Sequence, residues 1–183
     1  MAGRWSIARR AAPCFAAQVH IYLLRHGIAE DGGPGMPDHE RALTDEGWTR
    51  LRTAASTWRR LVPTPQVILV SPLRRALQTA EVFAEAVAFT GELRVADALI
   101  PNGAPSVALS MLEAEALSQT EAVAVIGHEP HLGYLLGCLL TGHPRQSVAM
   151  KKGMLVAVET ESSASMIATM RFALSQKIAG EIA

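Results

Sequence analysis

The sequence predicts a three-layer α/β/α sandwich built around a mostly parallel sheet. Three observations carry this reading. Short β-branched and aliphatic runs alternate with longer stretches at helical spacing, the order that builds parallel sheets. Those short runs are apolar throughout and read as buried strands. The chain of 183 residues, 49% of them apolar, suits one domain with a substantial core and excludes a wholly disordered protein.

Residues 1–18 stand apart. They carry Arg4, Arg9 and Arg10 and no acidic residue, and read as an extension that is either disordered or a targeting segment. The single domain is expected over residues 19–183. Its first strand is residues 19–24, ending at Arg25-His26-Gly27. A polar loop with Gly32, Gly33, Pro34, Gly35 and Pro37 follows. Thr44 or Asp45 then caps a helix to about Leu61, with Leu51, Ala54, Ala55 and Trp58 on one face, and Pro63 and Pro65 end it. Residues 66–70 form a second strand closed by Ser71-Pro72. A helix over 73–89 offers Leu77, Ala80, Val82 and Phe83 for burial, and a weak strand lies near 93–95. Pro101-Asn102-Gly103 is a turn, and Pro105 suits the first position of a helix through Leu117. Residues 122–126 form another buried strand ending at Gly127-His128, with a helix from there to about Leu140. Two last strands are expected near 153–158 and 166–172.

Composition narrows the partners. Seventeen basic and seventeen acidic residues give a formal net charge of zero. That balance argues against nucleic acid and against an anionic membrane, while leaving room for a local basic pocket. The longest apolar stretch, residues 132–140, is about half of the roughly 20 residues a membrane helix needs. Two cysteines, Cys14 and Cys138, cannot make a disulfide framework or a four-cysteine zinc site, which suits a reducing, cytoplasmic setting.

In parallel sheets, ligands bind just beyond the carboxyl ends of the strands. Three such ends carry unusual residues: Arg25-His26-Gly27, Ser71-Pro72 with Arg74 and Arg75 after it, and Gly127-His128. They are far apart in the chain, and only the parallel topology brings them to one edge. Two imidazoles and several guanidiniums meet there with no evident carboxylate partner, an arrangement that calls for an anion. Guanidinium forks match phosphate oxygens, and a neutral imidazole can attack phosphorus to form a covalent intermediate. Arginines can supply the electrostatic stabilisation such a transfer needs without metal or other cofactor.

Here the residues resemble a known family. Leu24-Arg25-His26-Gly27 is similar to the RHG signature of the histidine phosphatase, or phosphoglycerate mutase-like, superfamily. Residues 71–80 resemble its second motif, and Gly127-His128-Glu129-Pro130 its second-histidine motif. Residues 41–47 and 99–105 are similar to the small SixA-type branch of phosphohistidine phosphatases, which has little or no cap over the site. The resemblance covers residues 20 to 160. It implies a phosphoglycerate mutase-like fold with a minimal cap and makes His26 the phosphorylated nucleophile. It assigns Arg25 and Arg75 to the phosphoryl clamp, selecting Arg75 over Arg74, and makes His128 a donor to the phosphoryl oxygens. Arg41 is a further candidate for phosphate binding.

The departures from the family pattern bear on substrate. Larger members carry an acid after the third strand to protonate an alkoxide, and residues 97–102 offer only Asp97, which sits too early. General-acid help is worth about 10²–10⁴-fold, so its lack should penalise phosphate monoesters more than phosphohistidine. The expected substrate is therefore a phosphohistidine-containing protein or, alternatively, a small phosphorylated compound. A mutase would need a larger cap, and a silent phosphate-binding module would have to lose activity while keeping His26, Arg75 and His128.

Other residues take blander readings. His128 and His131 lack further metal ligands at suitable spacing, and His131 reads as a helix-start or rim residue. His39 is read as solvated loop, with the pocket mouth as its alternative. Glu129 reads as a cap of the following helix rather than a partner of His128. No Walker-type loop, dinucleotide fingerprint or G-x-S-x-G elbow is present.

Overall fold

A computed structural model describes residues 18–146 and 148–183 of the chain. The expected N-terminal extension, Cys14 included, lies outside the described residues but for Gln18.

The strands are β1 (His20–Arg25), β2 (Val67–Val70), β3 (Glu92–Val95), β4 (Ala122–Gly127), β5 (Leu155–Ser162) and β6 (Ser165–Leu174). The helices are α1 (Asp45–Leu61), α2 (Arg74–Ala86), α3 (Pro105–Leu117), α4 (His131–Thr141) and α5 (Gln176–Glu181). One six-stranded sheet runs in the order β3-β2-β4-β1-β5-β6. β3, β2, β4 and β1 are mutually parallel, whereas β5 runs antiparallel to β1 and to β6. The antiparallel edge has a local cause: Ser162 pairs with Ser165, and so tight a turn can only join antiparallel strands.

Strand alternation divides the core in two. Tyr22, Leu24, Ile68, Val70, Ala124 and Ile126 face one side and pack on Leu51, Ala54 and Trp58 of α1, on Ala80 and Phe83 of α2, and on Ala179 of α5. Ile21, Leu23, Leu69, Val123 and Val125 face the other, against Leu112 of α3 and Leu132, Leu135 and Leu139 of α4. This is the expected α/β/α sandwich.

Thr44 caps α1, accepting a hydrogen bond from the Gly47 N–H at 3.0 Å. Several elements differ from the sequence expectation. α2 stops at Ala86 rather than 89, where Ala88 adopts a left-handed φ of 51°. The fifth strand starts at Leu155 rather than 153, because Gly153 is in a turn with φ 68°. β6 runs on to Leu174. α5 was not expected at all: it is capped by Ser175 and held to α1 by the Thr57 hydroxyl, which donates to the Ala179 carbonyl at 2.7 Å.

Candidate active site

β1, β4 and β2 lie side by side and end at one edge of the sheet, with Arg25 level with Gly127 and Val70 level with Ile126. The residues after each strand therefore meet in space. The His26 and His128 rings stand 4.9 Å apart between centroids, tilted by 52°, and both are buried. Arg75, from the first turn of α2, is 4% exposed, whereas its neighbour Arg74 is exposed on the surface.

Hydrogen bonding sets the His26 tautomer. Its Nδ1 lies 2.7 Å from the Gly27 carbonyl oxygen, which can only accept, so Nδ1 carries the proton and Nε2 keeps its lone pair. Burial pushes the His26 imidazole down to about 3, and the charges of Arg75, Arg25 and Lys152 act in the same direction; the bond to Gly27 opposes them. His128 is pushed down to about 2, by burial first and then by His26, Arg75 and Arg25, with Asp38 opposing. Both rings are neutral near pH 7. The Nε2 of His128 is 2.8 Å from the Ser71 hydroxyl, and its Nδ1 has no partner among the described residues.

The cations are partnered, contrary to the sequence expectation. Arg75 donates to the Asp38 carbonyl at 2.7 Å and to Asp38 Oδ2 at 3.0 Å. Arg41 takes the other carboxylate oxygen, Oδ1, at 2.8 Å and donates through Nε to the Glu30 carbonyl. Arg41 thus reaches the site only through Asp38. Partial burial works to raise the Asp38 carboxyl, but hydrogen bonds from Arg41 and Arg75 and their charges outweigh it and hold it below the usual range. Sequence reasoning missed Asp38 because it sits in a one-turn 3₁₀ helix (Asp38–Glu40) in a Gly- and Pro-rich loop without periodicity.

Arg25 Nη1 donates to the Met150 carbonyl at 2.6 Å, and its Nε has no partner among the described residues. Glu129 neither caps α4 nor touches His128. Its carboxylate accepts from the Met150 N–H at 2.7 Å and from Gln146 Nε2 at 3.0 Å, which ties down the residue whose carbonyl Arg25 grips. His131 does begin α4, but it is buried at 1% exposure, not at a rim.

Arg75 lines a cavity of about 480 Å³ with Asp38, His39, Ile100 and Asn102; His39 is an exposed loop residue on its wall, and neither His26 nor His128 is among the lining residues. Asp97 is exposed and is not part of that wall. Arg25 lines a second cavity, of about 500 Å³. A larger one, about 610 Å³, lies away from the imidazoles among Arg52, Arg59, Arg60 and Glu85 on α1 and α2. Among the described residues, no three His, Cys, Asp or Glu side chains group closely enough to hold a metal ion, and no helix is long and apolar enough to cross a membrane.

The family model of the histidine phosphatase superfamily (branch 1) matches residues 21–100. An uncharacterized protein of Picosynechococcus sp. (strain PCC 7002) is 31% identical over 142 residues, spanning 78% of this chain and 86% of that protein. The chain belongs to the histidine phosphatase superfamily.

Within this superfamily the chain is also similar to the phosphohistidine phosphatase SixA of Escherichia coli, at 29% identity over 124 residues, 68% of this chain and 76% of that one. The solved structure of the protein histidine phosphatase SixA complexed with tungstate matches with a TM-score of 0.77 at 26% identity, covering 87% of this chain and 98% of that one. The family match contains Arg25, His26, Arg41 and Arg75 and stops before His128. The association of His128 with this superfamily site therefore rests on the 4.9 Å approach of its ring to His26.

Proposed function

We propose that this superfamily member is a metal-independent phosphatase that hydrolyses phosphohistidine in a partner protein through a covalent intermediate on His26. The observation that carries the reading is the His26 ring: buried, neutral, and with Nδ1 committed to Gly27 so that Nε2 is the nucleophilic nitrogen. In the first step Nε2 attacks phosphorus, the P–N bond to the substrate breaks, and its electron pair leaves with the substrate imidazole, which takes a proton from solvent. In the second step water attacks the phosphorus of phospho-His26, losing its proton to solvent, and Nε2 is released with inorganic phosphate.

Arg25 and Arg75 clamp the phosphoryl oxygens, and Arg75 does so by exchanging its bond to Asp38 Oδ2 for one to the phosphoryl group. With Ser71 donating to Nε2 of His128, a neutral His128 holds its proton on Nδ1 and offers it to a phosphoryl oxygen. These donors stabilise the charge that spreads over the equatorial oxygens in the transition state.

Substrate choice is supported by Asp38. It is the carboxylate lining the Arg75 cavity, and two arginines keep it ionised, so it is a poor acid for an alkoxide leaving group. An imidazole leaving group needs no such acid. Two cysteines in the whole chain, one of them the buried free Cys138, agree with the reducing, cytoplasmic setting we assign to it.

The test has two readouts. Incubation with phosphoramidate should place on the wild-type protein a label that mild acid removes and alkali spares, and His26→Ala should acquire none. In a substrate panel, a phosphohistidine peptide should be hydrolysed with higher kcat/KM than any sugar phosphate. A wild-type protein that never takes up label, or a His26→Ala protein labelled equally, overturns the mechanism; a sugar phosphate preferred over the peptide overturns the substrate.

A further inference from the structure

The cavity that Arg25 lines is walled by cations beyond those the phosphoryl chemistry uses. Arg50 of α1, Lys151 and Lys152 of the segment before β5, and Lys177 of α5 all face it. Four elements distant in sequence thus place basic side chains around about 500 Å³. The arrangement is anchored to the reaction centre. The Gly153 N–H donates to the carbonyls of both Arg25 and His26, at 3.1 and 3.0 Å, which sets Lys152 beside His26 closely enough for its charge to act on the imidazole.

These charges are incompletely neutralised. Arg50 pairs with Glu46 at 2.6 Å, and Lys177 has only a long contact of 3.8 Å with Glu181. The ammonium groups of Lys151 and Lys152 have no ion-pair partner among the described residues. Two buried donors on the same wall, Nε of Arg25 and Nε2 of Gln176, also lack partners there.

A protein of zero formal net charge has concentrated unpaired positive charge beside the nucleophile. We propose that this basic annex is a second anion subsite, which docks a carboxylate-rich surface segment of the phosphoprotein while its phosphohistidine enters the His26 site. The inference rests on His26 as the phosphoryl acceptor and adds which phosphoproteins are chosen.

The chemistry favours a carboxylate-rich protein surface over a second phosphate of a small molecule. The free charges are ammonium groups on long stems, exposed and adaptable, not a fixed guanidinium fork shaped for phosphate. Of the guanidiniums on this wall, Arg50 is paired with Glu46, and Arg25 holds the Met150 carbonyl through Nη1 and serves the phosphoryl clamp. Exposed point charges of this kind steer an oppositely charged partner and discriminate against a basic one, with a strong dependence on salt.

Binding of a fluorescein-labelled Glu-rich decapeptide to the full chain, followed by anisotropy at low salt, tests the annex without needing turnover. The wild type should bind it and ignore the Lys-rich counterpart. The charge-reversed variant carrying Lys151→Glu and Lys177→Glu should bind it about tenfold more weakly, and about 0.5 M salt should abolish the difference. The neutral variant with Lys151→Gln and Lys177→Gln should fall between them, which guards against a fold lost to charge reversal. In a parallel arm, kcat/KM for phosphohistidine peptides with acidic flanks over those with basic flanks should exceed about tenfold in the wild type and collapse in the reversed variant.

Peptide binding that is indifferent to charge reversal overturns the proposal. So does a bisphosphorylated small molecule that competes with the peptide and loses more than it on reversal. Turnover without flank preference removes the annex and leaves the phosphatase reading standing. Charge-dependent peptide binding with no turnover of any phosphohistidine peptide leaves the annex standing and removes the activity.

Discussion

At the scale of single residues, the site is governed by two imidazoles that the fold keeps neutral. Their ordinary value is 6.5, and in the folded chain His26 lies near 3 and His128 near 2. Above pH 6.5 each ring is neutral folded or unfolded and pH has no hold on stability through it. Below pH 6.5 the unfolded chain takes up protons that the folded chain refuses, so stability falls as pH falls through the window from 6.5 down to about 3. The full slope is about 1.4 kcal/mol per pH unit for each ring. Urea unfolding of the wild type and His26→Gln between pH 7 and pH 4 measures this. The variant should lose stability less steeply, by up to about one proton's worth, and parallel curves would show that His26 is not held neutral. The same residues mark what could be read in advance. His26, Arg75 and His128 were legible because each directly follows a strand end or opens the next helix. Asp38 was not, because its meaning lies in a contact with Arg75 across 37 residues of chain that no local pattern records.

At the scale of elements, α1 acts as the floor of the nucleophile loop. The Thr44 N–H donates to the Ile28 carbonyl at 3.0 Å, and a Cβ on Gly47 would stand 2.1 Å from that same oxygen. A Cβ on Gly27 would meet Leu51 of α1 at 2.7 Å. The backbone after His26 therefore lies directly on the first turns of the helix, with no room for a methyl group. Gly47→Ala must push Ile28 away, at a cost of about 1–3 kcal/mol, and the displacement reaches His26 two residues earlier. Thermal unfolding should show the loss of stability, and kcat should fall further than the population of folded protein explains. A variant that is destabilised but fully active when folded would separate α1 from the site. α1 was readable from its apolar spacing over 17 residues, and β4 from an unbroken apolar run. α5 was not, since six residues make too short a periodic signal and its place is set by Ser175 and by the Thr57 hydroxyl of α1. Gly153 misled for the opposite reason: it adjoins an apolar run, yet its left-handed turn serves the Arg25 and His26 carbonyls, not the sheet.

For the whole molecule, the sheet order brings cations from separate segments of a chain of zero net charge to one edge. β4 lies between β1 and β2, so a strand late in the sequence joins two early ones, and positive side chains from separate segments converge, with Asp38 the carboxylate that Arg75 and Arg41 share there. Such convergence exists only in the folded state, so a bound oxyanion must stabilise folding by mass action. Inorganic phosphate at about a hundred times its dissociation constant should add about 2.7 kcal/mol, a rise in Tm of about 5–10 °C for a domain of this size. Arg75→Lys keeps the charge but not the fork; it gives up part of its bonding to Asp38, which lowers its own baseline Tm, and from that baseline it should lose most of the rise with phosphate. Scanning fluorimetry over a phosphate titration reads both quantities. Equal rises in the two proteins would mean that phosphate binds somewhere Arg75 does not reach, and the meeting of three strand ends would then have no bearing on anion binding.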